Sequence, residues 1–298
     1  MQQSRLAGLF GALLLAACAF AGSAVQAAQP AIRVVAAESV YGKVVTAIGG
    51  THVQVTSLLE DPYVNPHEFE GTPRLMRQLD EADVIIFNGL GYDDWMHQLL
   101  QGLPAIDGEV ISAGEAASAL VAADRNPHLF HSPDAMALIA TQIAETLSRL
   151  DPAHADDYAD GLRRFHARLE MIQARARTLA AAHADLTVTA TEPVYNYMLD
   201  LLDYNIVDRS LQRATMNGSQ PGARQVRELI RGLQDNNVQL LLYNRQVHGQ
   251  LARMLTAKAR HAGIPVVAVS ELPPPDQSYA QWQLEQLQAV QQALDAQQ

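Results

Sequence analysis

The chain has 298 residues, 21 Lys and Arg against 32 Asp and Glu, a formal charge of −11, and a single cysteine, Cys18. With no second thiol there is no intrachain disulfide, no thiolate zinc cage and no iron–sulfur cluster. An acidic chain also lacks the basic surface on which nucleic-acid binding relies, so no nucleic-acid partner is expected. Apolar residues at 48% and charged residues at 18% describe a globular protein, long enough for one large domain or two lobes with real cores.

Residues 1–27 carry one charged side chain, Arg5, then the apolar run from Leu6 to Ala17 and a series of small residues. That is the pattern of a secretory signal peptide, and the run is short for a membrane span. Val25-Gln26-Ala27 offers a signal-peptidase site, whereas Leu15-Ala16-Ala17-Cys18 matches a lipobox in which Cys18 would carry a lipid anchor. Ala19-Phe20-Ala21 extends the apolar run and begins no polar tether, which favours the first site. A periplasmic protein is expected, with lipid anchoring through Cys18 as the alternative. Loss of residues 1–27 removes Arg5 and no acid, taking the charge from −11 to −12.

An N-terminal βα lobe is expected over 28–150. Ile32–Ala37, His52–Thr56 and Asp83–Asn88 read as strands, with helical patterns near 39–48, 73–82 and 92–101. Strands alternating with helices imply a mainly parallel sheet covered on both faces. Over 151–184 the pattern changes to one long helix, opened by Asp151-Pro152. Tyr158, Leu162, Phe165, Leu169, Ile172, Ala176 and Leu179 recur along it at alternating spacings of four and three. Such a helix is on the order of 45 Å long, the span of two small lobes. An internal spine is favoured over a coiled-coil dimer seam, and a monomer is expected. A C-terminal βα lobe follows over 185–298, with strands at 186–189, 238–242 and 265–269 and helices near 193–203, 222–236, 248–262 and 278–296.

One short motif occurs twice: Asn65-Pro66-His67-Glu68-Phe69 and Asn126-Pro127-His128-Leu129-Phe130. Each precedes a helix start, Thr72-Pro73 or Ser132-Pro133, and the proline stiffens the chain before each histidine. A histidine held on a rigid loop at a sheet edge suits metal ligation. In the second lobe Glu192 follows a strand and precedes Pro193, and Glu271 follows the last strand before Pro273. Ligands of open α/β sheets bind at the carboxyl ends of strands. His67, His128, Glu192 and Glu271 would form a site of two imidazoles and two carboxylates in the inter-lobe cleft, suited to a divalent cation.

The remaining histidines rank lower. His131 is read as a supporting group or an alternative ligand. His97, His154, His166, His183 and His261 are read as solvated helix residues, and His52 and His248 carry little weight. No P-loop, Rossmann fingerprint, GxSxG or HExxH occurs, so no enzyme is expected.

At these residues the chain resembles the zinc/manganese-type (cluster A-I) solute-binding proteins of bacterial ABC importers. The resemblance spans about 32–296 and rests on Ala37–Lys43, Ile48–Gly50, Asn65–Phe69, Ala82–Gly89, Asn126–His128, Leu150–Pro152, Thr191–Tyr197, Tyr243–Val247 and Gly263–Val267. It implies two βα lobes on a backbone helix, a membrane permease with a cytoplasmic ATPase as partners, and one ion held by His67, His128, Glu192 and Glu271. Glu192 stands where zinc-type members usually carry His and manganese-type members Glu, while Glu271 lies in a loop that departs from the family pattern. Gly114–Arg125 lacks the histidine-rich loop of some zinc importers. The transported ion is expected to be Zn²⁺ or Mn²⁺, with Fe²⁺ as a further candidate. The competing functions are a periplasmic metallochaperone, a metal-dependent hydrolase with Glu68 as base, and a haem or siderophore receptor.

Overall fold

The computed structural model describes residues 31–121 and 125–297. The export signal read at 1–27, with Cys18, lies outside the described residues. In chain order the elements are β1 (Ile32–Glu38), α1 (Ser39–Gly49), β2 (Val53–Leu59), α2 (Pro73–Asp80), β3 (Val84–Phe87), α3 (Asp94–Gln101), β4 (Glu109–Ser112), α4 (Ala113–Ala116) and α5 (Pro133–Leu150). After the long α6 (Ala155–Ala182) come β5 (Thr187–Ala190), α7 (Asn196–Leu201), β6 (Asn205–Ile206), α8 (Arg209–Met216), α9 (Ala223–Gln234), β7 (Leu240–Asn244), α10 (Gln250–His261), β8 (Val266–Val269) and α11 (Tyr279–Asp295).

Two four-stranded sheets have orders β2-β1-β3-β4 and β6-β5-β7-β8, and every pairing is parallel. Val34 lies opposite Val55 and Val84, and Val188 opposite Ile206 and Leu240. The α/β class with two parallel-sheet lobes therefore stands. In each lobe the chain steps from its first strand to one side and then to the other. That places a topological switch point, the usual ligand crevice, between β1 and β3 and again between β5 and β7.

The central strands read from the sequence are buried on both faces, such as Val84–Phe87, while the edge strand β2 was read from its alternation. The edge strands β4 and β6 were not anticipated. In β4, Glu109 and Val110 are exposed, and β6 is two residues long, so neither carries the apolar run that signals a central parallel strand. Helix starts were legible: α2 begins at Pro73 and α5 at Pro133, where the Ser132 hydroxyl accepts from the Ala135 amide at 3.2 Å.

The spine α6 has 28 residues, about 42 Å at 1.5 Å per residue. It begins later than Asp151-Pro152 implied, because Pro152–His154 form a 3₁₀ turn first. Its buried stripe is Tyr158, Gly161, Phe165, Leu169, Ile172, Ala176 and Leu179. That stripe packs within the chain, against α1, α5 and α11. One apolar core runs unbroken from Val34 and Ile86 through Phe165 and Ile172 to Val188 and Leu242. Gly161 is required where α6 crosses α1: a Cβ there would lie within bonding reach of the Ile48 carbonyl oxygen. Gly161→Ala is expected to push α6 off α1 and destabilise the protein by about 1–3 kcal/mol, despite alanine's higher helix propensity. Thermal and urea unfolding measure it, and an unchanged or raised stability would show that the helices separate freely.

Candidate metal centre

The repeated Asn-Pro-His motif builds the same local turn twice. Asn65 Oδ1 accepts the His67 amide at 3.1 Å, and Asn126 Oδ1 accepts the His128 amide at 3.2 Å. Each asparagine thus closes an Asx turn over its proline, fixing the loop before any ligand arrives. The second copy does more. His128 Nδ1 lies 2.7 Å from Asn126 Oδ1; since that oxygen can only accept, Nδ1 carries the proton and Nε2 keeps its lone pair. Asn126 Nδ2 donates to the Pro193 carbonyl at 2.8 Å, and Tyr197 donates to the Asn126 carbonyl at 2.9 Å. The loop carrying His128 is therefore tied directly to the second lobe.

His67, His128 and Glu271 converge, each offering one ligand atom within 4.8 Å of the others. Glu271 Oε2 is 3.5 Å from His128 Nε2 and 4.0 Å from His67 Nε2. All three atoms are buried without a hydrogen-bond partner. Tyr92 walls the site, its ring centroid 4.8 Å from His67 and 5.7 Å from His128. His67 follows β2, His128 follows β4, Glu192 follows β5 and Glu271 follows β8, so both lobes aim strand carboxyl ends at one crevice.

Glu192 is not in that cluster. It sits one hydrogen bond away, through Asn244 at the end of β7: Asn244 Nδ2 donates to Glu192 Oε2 at 2.9 Å and to Glu271 Oε1 at 2.5 Å. The Glu271 amide donates to Gln246 Oε1 at 2.9 Å, which holds the departing loop in place. Burial pushes Glu192 upward, Glu271 and Glu68 add to this, and the Asn244 bond offsets only part, leaving its pKa at about 8. Burial also pushes Glu271 up, but His128 and then His67, where they carry a proton toward it, outweigh burial and draw its pKa down to about 2. Near neutral pH one acid is therefore mainly protonated and the other ionised. His67 is lowered, chiefly by burial, which keeps its imidazole neutral and able to ligate.

Beneath the site, Glu38 at the end of β1 is fully buried. Burial, with Asp93 beside it, raises its pKa well above the carboxylate range. It is thus neutral and adds no charge. An inter-lobe cleft of about 420 Å³, lined by Asn65, His67, Glu68, Glu192, Asn217 and Val247 among others, leads to the centre.

His131 is fully buried and no alternative ligand, because both its nitrogens are engaged. Nε2–H donates to the Ser270 carbonyl at 3.1 Å, and Nδ1 accepts from Gln283 Nε2 at 3.0 Å. It bridges the lobes. His183, read as solvated, is buried with Nε2 2.8 Å from Asp295 Oδ1, while His97, His248 and His261 are exposed. Glu68, the base a hydrolase would need, is exposed too. Asn244 and Glu38 were missed as site residues. Both stand at strand ends inside stretches that carry the family resemblance, and that position was the available signal.

Two parallel-sheet lobes on a helical spine, with two imidazoles from one lobe meeting a carboxylate of the other in the cleft, define a solute-binding receptor. The family described as "Zinc-uptake complex component A periplasmic" matches residues 34–293, and the chain belongs to that family. It is an exported metal-binding receptor of an ABC importer, in a family of receptors and not of enzymes. The manganese-binding lipoprotein MntA of Bacillus subtilis is 25% identical over 277 residues, 89% of either chain. The manganese complex of FpvC from Pseudomonas aeruginosa has the same fold at a TM-score of 0.74, with 24% identity and coverage of 90% and 100%. The periplasmic zinc-binding protein TroA of Treponema pallidum gives 0.75 at 16% identity, covering 89% and 99%.

Burial pushes His131 down to about 3, from an ordinary 6.5. The folded state then binds fewer protons than the unfolded chain between these values. Its contribution to stability is complete above about pH 6.5 and is lost as pH falls toward about 3. His131→Gln should therefore lose less stability than the parent chain between about pH 7.5 and about pH 5. Urea midpoints at the two pH values measure this, and equal losses would show that His131 does not set the acid limb.

Proposed function

We propose that the receptor carries one divalent transition-metal ion on His67 Nε2, His128 Nε2 and Glu271 Oε2, with Glu192 as the fourth ligand. The observation that carries this reading is the trio of buried ligand atoms without hydrogen bonds at a lobe junction. Leaving a buried polar atom unsatisfied costs about 1–3 kcal/mol each, and a cation satisfies all three together. Two imidazoles and two carboxylates suit Zn²⁺, Mn²⁺ or Fe²⁺. Zn²⁺ binds tightest of these in the usual affinity order, and the second carboxylate favours the harder ions. The partner is a membrane permease with its cytoplasmic ATPase, which would pull one lobe's ligands away to release the ion. The receptor acts as a monomer, with an export signal at 1–27, lobes at 28–150 and 185–298, and the spine region at 151–184.

Titration with Zn²⁺ and Mn²⁺, with elemental analysis of the isolated protein, is expected to give one tight equivalent. His67→Ala with His128→Ala should weaken it well beyond the roughly 10–100-fold that follows loss of an outer hydrogen-bond partner. Asn126→Ala, which frees His128 Nδ1, should fall within that range. An unchanged tight equivalent in the double variant would overturn the site.

Ligation by Glu192 has its own signature. Its pKa of about 8 means that an ion binding near pH 6.5 must displace its proton. Calorimetry in buffers of different ionisation enthalpy should show about one more proton released per ion by the native chain than by Glu192→Gln. Equal proton release would remove Glu192 from the ligand set.

A further inference from the structure

A second cluster of metal-ligating side chains lies where the spine meets the first lobe, outside the centre just described. His52 ends the 3₁₀ turn Gly50–His52 between α1 and β2. Asp151 follows α5, and His154 closes the 3₁₀ turn that leads into α6. The fold brings residues a hundred positions apart together where the spine meets α1. Each of the three offers one ligand atom, and these atoms lie within 4.8 Å of one another. Asp157, in the first turn of α6, places Oδ2 3.2 Å from His52 Nε2.

We propose that His52, His154, Asp151 and Asp157 form a second, weaker binding site for a borderline divalent cation of the Zn²⁺, Ni²⁺ or Cu²⁺ class. Four features carry it. Two imidazoles and two carboxylates are the donor mixture such ions take. The two acids give a local charge of −2, which a divalent ion neutralises, and Asp156 beside them further offsets the positive end of α6. Asp151 is half committed: Oδ2 accepts from Tyr158 at 2.8 Å and pairs with His154 Nδ1 at 2.6 Å, while Oδ1 is buried with no hydrogen-bond partner. Finally, the His52 and His154 rings stack with centroids 3.9 Å apart and planes 24° apart, so their edges lie side by side.

Two ligands on a tetrahedral ion with bonds of 2.0–2.1 Å stand about 3.4 Å apart. His52, Asp151 and His154, within 4.8 Å of one another, therefore need only a modest contraction, and Asp157 is already near that spacing from His52. The stacked rings must splay to converge their lone pairs. The side chains of His52, His154 and Asp157 are 28%, 33% and 61% exposed, and the site therefore meets solvent directly. Fast exchange and modest affinity follow, in contrast to the buried cleft. A site of this kind lets the receptor hold a second ion on its spine without moving the lobes.

The test uses the full exported chain without a histidine tag. Calorimetry with Zn²⁺ should resolve a tight and a weaker equivalent. His52→Gln with His154→Gln, which leaves the Asp151–Tyr158 bond intact, should abolish the weaker equivalent and retain the tight one. In a His67→Ala, His128→Ala background, one equivalent of Cu²⁺ should give an electron paramagnetic resonance spectrum with coupling to two imidazole nitrogens. That coupling should vanish when His52 and His154 are also replaced. Far-ultraviolet circular dichroism confirms that each variant is folded. Absence of a second equivalent in the native chain, or its persistence after both His52 and His154 are replaced, overturns the proposal. The cleft assignment fails separately, by survival of the tight equivalent in His67→Ala with His128→Ala.

Discussion

Burying His67 Nε2, His128 Nε2 and Glu271 Oε2 together without hydrogen bonds is a cost that a cation would offset on the proposed reading, and much of the local architecture holds those atoms still. The Asx turns fix both histidine loops. Asn126 sets the His128 tautomer and, through Pro193, ties its loop to the opposite lobe. Asn244 then spans Glu192 and Glu271 with a single amide. Each bond is modest alone, about 0.5–1.5 kcal/mol net for neutral partners and more for charged ones. Together they leave the ligand atoms few alternative partners.

The same constraint explains how little the lobes can move. A cleft that closed by a wide hinge would not need a core that runs through its backbone helix. Here the apolar core is continuous from β1 through α6 to β7, and Gly161 lets α6 touch the backbone of α1. Further hydrogen bonds cross between the halves beside the centre: His131 reaches the Ser270 carbonyl, and Tyr279 and Gln283 both reach the Phe130 carbonyl. Opening such a structure widely would break buried polar bonds and expose core. Motions small enough to keep the core shut, confined to the loops after β2, β5 and β8, cost far less. Ion release thus calls for local displacement of ligands by a partner.

Much of this was legible in the sequence, for identifiable reasons. Central parallel strands such as Val84–Phe87 announce themselves because both faces are buried, and the α6 stripe because a buried helix face must repeat at helical spacing. The Asn-Pro-His repeat was readable because an Asx turn is a local structure, complete within three residues. Edge strands β4 and β6 were hidden because half-exposed or two-residue strands carry no apolar signature. Asn244 was hidden for a different reason: what makes it a site residue is its side-chain contact to Glu192 and Glu271, 52 and 27 positions away. His52 and His154 shared that fate. Neither has a local motif, and only the packing of α6 against α1 makes them neighbours.

On the proposed reading, ion selectivity depends on how the two acids divide their charge. Both cannot ionise cheaply in a buried site, because like charges at close range raise one of the two pKa values. Environment separates the two acids: the His128 and His67 imidazoles draw Glu271 down, while burial holds a proton on Glu192 at about 8. Before the ion arrives, the cleft therefore presents one negative charge and one removable proton. A monovalent cation would be balanced by Glu271 alone and gain little by expelling that proton. A divalent ion recovers the cost of deprotonating Glu192 by taking its carboxylate as a ligand. The twelve excess acids of the exported chain draw cations of any kind toward its surface. On the proposed reading, it is the single proton on Glu192 that makes the centre respond to charge two over charge one.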